Sequence, residues 1–246
     1  MPVIAQVTAE DHRRKRDYGR HRRRHHRRRP DDLGASARHV PAVVRACRLI
    51  ETAQEVPLLG TLAESAGLSR FHFHRIFKAV MGITPNAYAG GRRARRVLDE
   101  LAHAATITDA IYDAGFNSNG HFYALSAQIL GMTPTSFRAG GAGTAIRFAI
   151  AACAYGHVLV ATTDRGPCAI RVGADPAALE DDLAGLFPAA ERDRGDGRYR
   201  ATAQRLVDAA HDPAPCPLLP ADLRRTVFEQ RVRQEVCTRL NRGAPA

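Results

Sequence analysis

The chain has 246 residues, 45% of them hydrophobic, with 36 lysines and arginines against 25 acidic residues. This length and hydrophobic content predict two domains with ordinary cores. No apolar run approaches the roughly 18 residues that a membrane-spanning helix requires, which excludes such a span. The first residues lack the apolar segment of a signal peptide, so we expect a cytoplasmic protein that does not contact membranes.

The net charge of +11 comes mostly from one segment near the N-terminus. Residues 12–29 (HRRKRDYGRHRRRHHRRR) contain 11 of the 36 lysines and arginines and only one acidic residue. The rest of the chain has 25 basic and 24 acidic residues, a net charge of +1. Because a block of like charges repels itself, residues 1–38 are predicted to be a disordered basic tail. This tail would bind any polyanion, DNA included, without reading its sequence.

From residue 40 to about residue 139 the spacing of apolar residues predicts helices. They are expected at residues 40–50, 58–66, 70–80, 84–102, 107–114 and 119–129. Gly67 suits the left-handed position that ends a helix, and Ser69 is a suitable N-cap for the next one. Thr84 and Pro85 fit the N-cap and the first residue of the longest helix. The region is therefore predicted to be mainly α.

A glycine-rich joint at residues 140–143 precedes a change of pattern. Short apolar segments bounded by turn residues predict strands at 146–153, 158–163 and 168–172. Further helices are expected at 176–186, 199–210 and 226–240, with a proline-rich, linker-like stretch before the last. The predicted domains are 39–140 (helical), 144–220 (α+β) and 221–246 (a final segment).

Two stretches of the helical region repeat one motif. Ala66-Gly67-Leu68 is followed by GITPNAY at residues 82–88, and Ala114-Gly115-Phe116 is followed by GMTPTSF at residues 131–137. The offset is 48 residues for the Ala-Gly pair and 49 for Gly-x-Thr-Pro. Each copy fits a helix, a glycine turn and a second helix, which is a helix-turn-helix. Because one chain with two such units can reach two successive major grooves, we predict double-stranded DNA as the partner and a monomeric state.

The predicted helix over residues 70–80 has an apolar face and a polar face. The apolar face follows the helical spacing i, i+3, i+4, i+7 and consists of Phe73, Ile76, Phe77 and Val80. The opposite face carries the candidate DNA-binding residues Phe71, His74, Arg75 and Lys78. Arg75 can donate two hydrogen bonds to guanine O6 and N7, whereas Arg70 and Lys78 suit phosphate. His74 suits a base edge or a phosphate, and Phe71 suits a thymine methyl group.

The second predicted recognition helix carries fewer side chains that can read bases. The positions that match Phe71, His74, Arg75 and Lys78 hold Gly120, Tyr123, Ala124 and Ala127. Asn119, His121 and Tyr123 are the remaining candidates for DNA contact. We therefore expect the first unit to carry most of the base reading and the second unit mainly to position the protein. The alternative for both helices is a solvated polar surface without a ligand.

The cysteines and histidines indicate neither a disulfide framework nor a metal site. The cysteines are few, odd in number and widely spaced: Cys47, Cys153, Cys168, Cys216 and Cys237. Reduced thiols are the expected state. On a helix His72 and His74 point about 200° apart, so they cannot chelate one ion well. We expect no metal, no cofactor and no catalytic residue.

Residues 69–78 (SRFHFHRIFK), with GITPNAY at 82–88 and RRARR at 92–96, resemble the AraC/XylS family of transcription regulators. The second copy, which ends in MTPTSFR at 132–138, completes that family's double helix-turn-helix. The resemblance implies a DNA-binding regulator, with RNA polymerase as a further candidate partner. The family usually carries an arginine where this sequence has Ala124, so strong base reading by the second unit is not expected.

Residues 146–153 (IRFAIAAC), 156–161 (GHVLVA) and 165–170 (RGPCAI) resemble the ribonuclease H-like N-terminal lobe of O6-alkylguanine-DNA alkyltransferases, to which one kind of AraC/XylS regulator is fused. The acceptor motif of these enzymes, Pro-Cys-His-Arg-Val, does not occur in this sequence. Cys237 lacks the proline and histidine neighbours of that motif. We interpret residues 221–246 as the incomplete start of a catalytic lobe and expect a chain truncated at both ends.

Three functions are compatible with these features. The first is a sequence-specific transcription regulator linked to the alkylation DNA-damage response. The second is an enzyme, a methylated-DNA–protein-cysteine methyltransferase that repairs DNA, which the absent acceptor motif disfavours. The third is a fragment that binds DNA only through its basic tail. We predict the first.

Overall fold

The structure is a computed structural model that describes residues 37–53, 55–116, 118–212 and 214–243. The predicted disordered tail therefore lies almost entirely outside the described residues. The helical half consists of α1 (Val40–Thr52), α2 (Leu59–Ser65), α3 (Arg70–Met81), α4 (Pro85–His103), α5 (Ile107–Asp113), α6 (Asn119–Leu130) and α7 (Pro134–Arg138). The second half consists of β1 (Ala145–Cys153), β2 (Gly156–Thr162), β3 (Pro167–Gly173), α8 (Pro176–Leu186), β4 (Glu191–Arg194), α9 (Gly197–Ala210) and α10 (Ala221–Gly243). The prediction of a mainly α region followed by an α+β region is confirmed, and the structure shows that the sheet of the second region is mixed.

The two helix-turn-helix units use the same capping residues at the same relative positions. The hydroxyl oxygens of Ser69 and Ser118 accept hydrogen bonds from the backbone N–H three residues later, at 3.3 and 3.2 Å. Thr84 and Thr133 do the same for α4 and α7 at 3.1 and 3.0 Å. Each cap satisfies a backbone N–H that the helix itself leaves unpaired. The repeat in the sequence is therefore a repeat of local structure.

The sheet has strand order β3-β2-β1-β4, and its strand β2 is packed on both faces. β2 pairs antiparallel with β1 and with β3, and β4 pairs parallel with β1. Side chains along β2 alternate between faces, because successive residues of a strand point to opposite sides. Val158 and Val160 pack with apolar residues of α9 and α10, whereas Leu159 and Ala161 pack with the second helix-turn-helix and α8.

The helical half and the sheet half share their hydrophobic cores. One cluster joins the second helix-turn-helix to one face of the sheet, through residues such as Phe122, Leu130 and Leu159. Another cluster joins the first helix-turn-helix to the chain that leads into α10 and to its first turns, through Cys216, Leu219, Leu223 and Val227. Each of these two clusters therefore crosses a domain boundary that the sequence suggested.

Three local predictions differ from the structure. β4 was not predicted, and all four of its residues are exposed, so it has no apolar alternation that would reveal a strand. α10 begins at Ala221 rather than at residue 226. The linker-like stretch before α10 is packed: the Cys216 N–H donates to the Val80 carbonyl at 2.8 Å, and Leu219 is buried. In the part of the chain that the structure describes, no helix is both long enough and apolar enough to span a membrane.

Candidate nucleic-acid interface

α3 is held by a buried apolar face that matches the prediction. Phe73, Phe77 and Val80 are completely buried, and Ile76 is nearly so. The Phe77 ring packs edge-on against the buried ring of Tyr88, with centroids 6.0 Å apart. Because a closely packed face of this kind fixes the rotation of the helix about its axis, the opposite face has a defined direction.

The outward face of α3 carries all four predicted residues, and each of them is exposed. They are Phe71, His74, Arg75 and Lys78. The Phe71 ring is 79% exposed, although an exposed phenylalanine gains nothing from contact with water. This face thus offers a guanidinium, an ammonium, an imidazole and an apolar ring in two turns of helix. These groups can donate to base edges and phosphates and can contact a thymine methyl group.

Arg70 lies at the junction between α2 and α3. It is exposed, and its guanidinium passes over the first turn of α2, where a Cβ added at Gly60 would be 3.2 Å from Arg70 Nε. Arg70 thus lies beside the α3 N-terminus, at the edge of the surface that Arg75 and its neighbours form. A cation in such a place suits a phosphate contact, which positions a helix without reading sequence.

α6, the second predicted recognition helix, carries smaller side chains on its outward face than α3 does. Gly120, Tyr123 and Ala124 are exposed, and Ala127 is half-buried. Tyr123 is 53% exposed, and its ring lies 5.5 Å from that of Phe122, measured between centroids. None of these residues can donate two hydrogen bonds to one base.

The two remaining candidates on α6 differ in exposure. His121 is exposed, and its ring lies edge-on to Phe116 with centroids 5.8 Å apart. Asn119 is half-buried, and its Oδ1 is enclosed without a hydrogen-bond partner among the described residues. His121 and Tyr123 therefore lie on the accessible surface of the helix, whereas the amide oxygen of Asn119 does not.

The arginine cluster on α4 has a role that the sequence did not indicate. Arg92 Nε donates to the carbonyl oxygen of Glu51 at 2.7 Å, and Arg96 Nη1 lies 3.5 Å from that of Ala53. These carbonyls lie at the C-terminal end of α1, where a helix has no N–H partners of its own and favours positive charge. Burial, with Arg96 and Arg95 nearby, lowers the pKa of the Arg92 guanidinium. At least two of the four arginines therefore hold the helical scaffold.

The described cysteines do not have the environment of a reactive thiol. Burial raises the pKa of Cys47 and of Cys168 to about 12. Burial also raises the pKa of Cys153 and of Cys237 above the usual range, and Cys216 is buried. Thiolates are the nucleophiles of cysteine chemistry, so thiols with a raised pKa are poor acceptors at neutral pH. Within the described ranges, no group of three or more His, Cys, Asp or Glu side chains could hold a metal ion.

Comparison with known proteins agrees with this geometry. The family described as "Helix-turn-helix domain" matches residues 62–140. The chain is 38% identical over 210 residues to "Bifunctional transcriptional activator/DNA repair enzyme Ada" of Escherichia coli (strain K12), which covers 85% of this chain and 59% of that protein. It is 39% identical over 209 residues, with the same shares, to "Regulatory protein ada" of Salmonella typhimurium (strain LT2). The chain thus spans about three-fifths of the length of these relatives. Residues 62–140 are an AraC-type helix-turn-helix region, as the resemblance predicted, within a sequence that is similar to Ada proteins over most of its length.

Proposed function

We propose that this protein is a sequence-specific DNA-binding transcription regulator of the Ada type, linked to the response to DNA alkylation. The observation that carries the proposal is the outward face of α3. Its four polar or aromatic side chains are exposed on a helix whose opposite face is fully packed and whose ends are capped. The printed names of the relatives, a transcriptional activator and a regulatory protein, support the same function.

In this proposal the first unit reads bases and the second unit positions the protein. Arg75 pairs with guanine O6 and N7, and Lys78 and Arg70 contact phosphates. His121 and Tyr123 on α6 contact the backbone or the edge of the second groove. α4 connects the two units and is about 28 Å long at 1.5 Å per residue, close to the ~34 Å that separates successive major grooves. A monomer is thus long enough to reach both grooves, and RNA polymerase is the partner that a regulator would engage.

The test is selection of preferred duplexes from a random library by the full chain at physiological ionic strength. Arg75→Ala is expected to weaken binding to the selected duplex by about 1–3 kcal/mol and to relax the preference at one position. Arg205→Ala is the matched control, since it removes the same charge from an exposed site on α9. Deletion of residues 1–36 should lower affinity for all duplexes and leave the preference intact.

Two outcomes would contradict the proposal. A preference that vanishes when residues 1–36 are deleted would assign binding to the basic segment rather than to α3. If Asn119→Ala abolished the preference and Arg75→Ala left it unchanged, the assignment of base reading to the first unit would be wrong.

We propose further that residues 144–220 are the ribonuclease H-like lobe of an alkyltransferase and that residues 221–246 belong to the start of its catalytic lobe. The support is the strand order, in which an antiparallel meander gains a parallel strand beside its first member. The bifunctional name of one relative, which includes DNA repair, agrees with this assignment. The link to alkylation rests on the same evidence.

The enzymatic alternative, transfer of a methyl group from DNA to a cysteine of this chain, has a direct assay. The full chain is incubated with duplex DNA that carries labelled O6-methylguanine, and protein-bound label is measured. We expect no transfer above the level of the Cys237→Ser variant, since burial raises the pKa of the half-buried Cys237 thiol. Stoichiometric labelling that disappears in Cys237→Ser would show the chain to be a methyl acceptor.

A further inference from the structure

The C-terminal end of the second recognition helix is held by a side chain from the far end of the chain. The last carbonyls of a helix have no N–H partner within it. Arg233, on α10, donates through Nη1 to the carbonyl oxygens of Gln128 at 3.2 Å and Ile129 at 2.9 Å, both on α6. The same nitrogen also contacts the Pro167 carbonyl oxygen at 2.9 Å, at the start of β3. One guanidinium thus joins α6, β3 and α10.

The turn between β2 and β3 holds the same end of α6 by different contacts. The Thr163 hydroxyl donates to the carbonyl oxygen of Gly131, the residue that ends α6. A Cβ added at Gly131 would lie 2.7 Å from the Gly166 carbonyl oxygen and 2.8 Å from the Cys168 nitrogen. The backbones therefore approach each other more closely than any side chain would permit. The end of α6 rests directly on the sheet.

The chemistry of Arg233 suits this position. Arg233 is half-buried, and burial is the main cause that lowers the pKa of its guanidinium. A cation beside the C-terminal carbonyls of a helix is stabilised by the helix dipole. Removing the guanidinium would leave the carbonyls of Gln128, Ile129 and Pro167 short of a donor, which favours movement of α6 away from the sheet.

Among the described residues, no side-chain hydrogen bond joins α3 to the sheet in the way that Arg233 joins α6 to it. Its last turn accepts a backbone hydrogen bond from Cys216 at the Val80 carbonyl, and its outward side chains read DNA in the proposed function. α6 has few side chains with which to find its own place on DNA, since its outward residues are mostly small. Its contribution depends on where the rest of the molecule holds it.

We infer that Arg233 is a positioning residue for DNA binding: it fixes the second recognition helix on the sheet half, so that both units reach one duplex together. The inference rests on the proposed function. The sheet half then takes part in DNA binding without touching DNA.

The test compares two duplexes. Wild-type chain first selects its preferred duplex, and the half read by the first unit is located where Arg75→Ala relaxes the preference. Dissociation constants are then measured for the whole duplex and for a shortened one. The shortened duplex, called the cut duplex, contains only the half read by the first unit. Arg233→Met, which keeps the apolar stem but loses the donors, should weaken binding to the whole duplex about tenfold and leave binding to the cut duplex unchanged.

Arg225→Met is the matched control. Arg225 lies on the same helix and also donates to a β3 carbonyl, that of Val172, and no contact with α6 is found for it among the described residues. It should bind both duplexes like the wild type. A purely structural role for Arg233 would lower affinity for the two duplexes equally, which would overturn the inference, as would no effect on either.

Two further measurements keep the outcome decisive. If Arg233→Met does not fold, judged by thermal unfolding, Arg233→Lys retains the charge with a single donor group and should show the same selective loss to a smaller extent. In a footprinting experiment, either variant should protect a shorter DNA segment than the wild type does. The lost protection should lie only in the half bound by the second unit. If wild type selects no duplex at all, the proposed function fails. If the wild type selects a duplex but the Arg233 variants show no selective loss of affinity for the whole duplex, only this inference fails.

Discussion

At the scale of single residues, the two recognition helices share their caps and differ most on the outward face. Both have a serine N-cap, a glycine C-cap and a buried phenylalanine at the fourth position. On the outward face, Arg75 corresponds to Ala124 and Lys78 to Ala127. The packed face differs in polarity at one position, where the buried Phe77 corresponds to Ser126, but the loss of both cations on the outward face concerns binding. We expect a DNA site in which one half tolerates sequence changes far better than the other.

Arg75 and Lys78 should be separable by salt dependence. Lys78→Ala is expected to weaken binding to all duplexes by a similar factor and to reduce the slope of log K against log salt by about 1, because a phosphate contact releases a counterion. Arg75→Ala should instead reduce the preference between duplexes. Titrations at several salt concentrations on preferred and scrambled duplexes distinguish the two. The same loss of preference in both variants would contradict the division between phosphate and base contacts.

His211 makes stability depend on pH. Its ring stacks on Phe228 with centroids 4.5 Å apart, and burial is the largest cause that lowers its pKa below 6.5, with Arg231 adding to the effect and Asp208 opposing it. The imidazole of His211 therefore binds a proton more readily in the unfolded chain than in the folded chain. Stability is fully present above about pH 6.5 and is lost as the pH falls below that value.

His211→Phe keeps the stacking and removes the proton. Chemical unfolding at pH 7.5 and pH 5.5 should show a smaller loss of unfolding free energy for the variant than for the wild type. His39, whose pKa burial also lowers, leaves a residual dependence. If the variant and the wild type lost the same unfolding free energy between pH 7.5 and pH 5.5, His211 would not contribute to the pH dependence.

At the scale of elements, capping residues were the most informative part of the sequence. Ser69 and Thr84 were expected to begin helices and do so, since a hydroxyl that accepts a backbone N–H is a local property. β4 was missed because all its residues are exposed and its strand structure comes from pairing with β1. Pairing between distant segments leaves no local pattern to read.

Two glycines with nearly the same backbone conformation should respond differently to alanine. Gly67 has φ +66° with nothing within 4 Å of an added Cβ, whereas Gly131 has φ +64° and meets the turn after β2. Gly67→Ala should cost about 1–2 kcal/mol, the penalty of a left-handed alanine. Gly131→Ala should cost about 1–3 kcal/mol more, because the turn must move. Chemical unfolding of both variants measures the difference, and equal costs would show that the sheet does not hold α6 closely.

At the scale of the whole molecule, α10 supplies part of the hydrophobic core of the first helix-turn-helix. Leu223 and Val227 on α10 are completely buried among residues of α1 to α4. Arg48 on α1 forms an ion pair with Asp222 at 2.6 Å, next to this contact. A fragment that ends near residue 140 would expose these apolar surfaces, so we expect it to be less stable than the full chain.

Leu223→Ala tests this dependence in the full chain. It should lower the unfolding free energy by about 2–5 kcal/mol, as for other buried leucines. Leu218→Ala is the control, since Leu218 is 63% exposed and its loss should stay within about 0.5 kcal/mol. A small effect of Leu223→Ala would mean that the first unit closes its core without α10.

The same long-range packing explains how much of the site the sequence could predict. The outward and inward faces of α3 follow from helical spacing alone, so Arg75 and its neighbours were placed correctly. The roles of Arg92 and Arg233 were not foreseen, because their partners are backbone carbonyls 41 and 104 residues away. A carbonyl has no sequence signature. Which arginines meet DNA and which hold helices is therefore decided by tertiary structure.

The position of α10, about 100 residues after the helical half, has a consequence for synthesis. Residues up to 140 are made roughly 5–20 s before residues near 240, at 5–20 residues per second. Throughout that interval the nascent first unit lacks Leu223 and Val227, and the nascent second unit lacks Arg233. Competence for DNA should therefore arise only after residues near 240 have been made and have packed onto the helical half, which keeps shorter nascent chains from occupying regulatory sites.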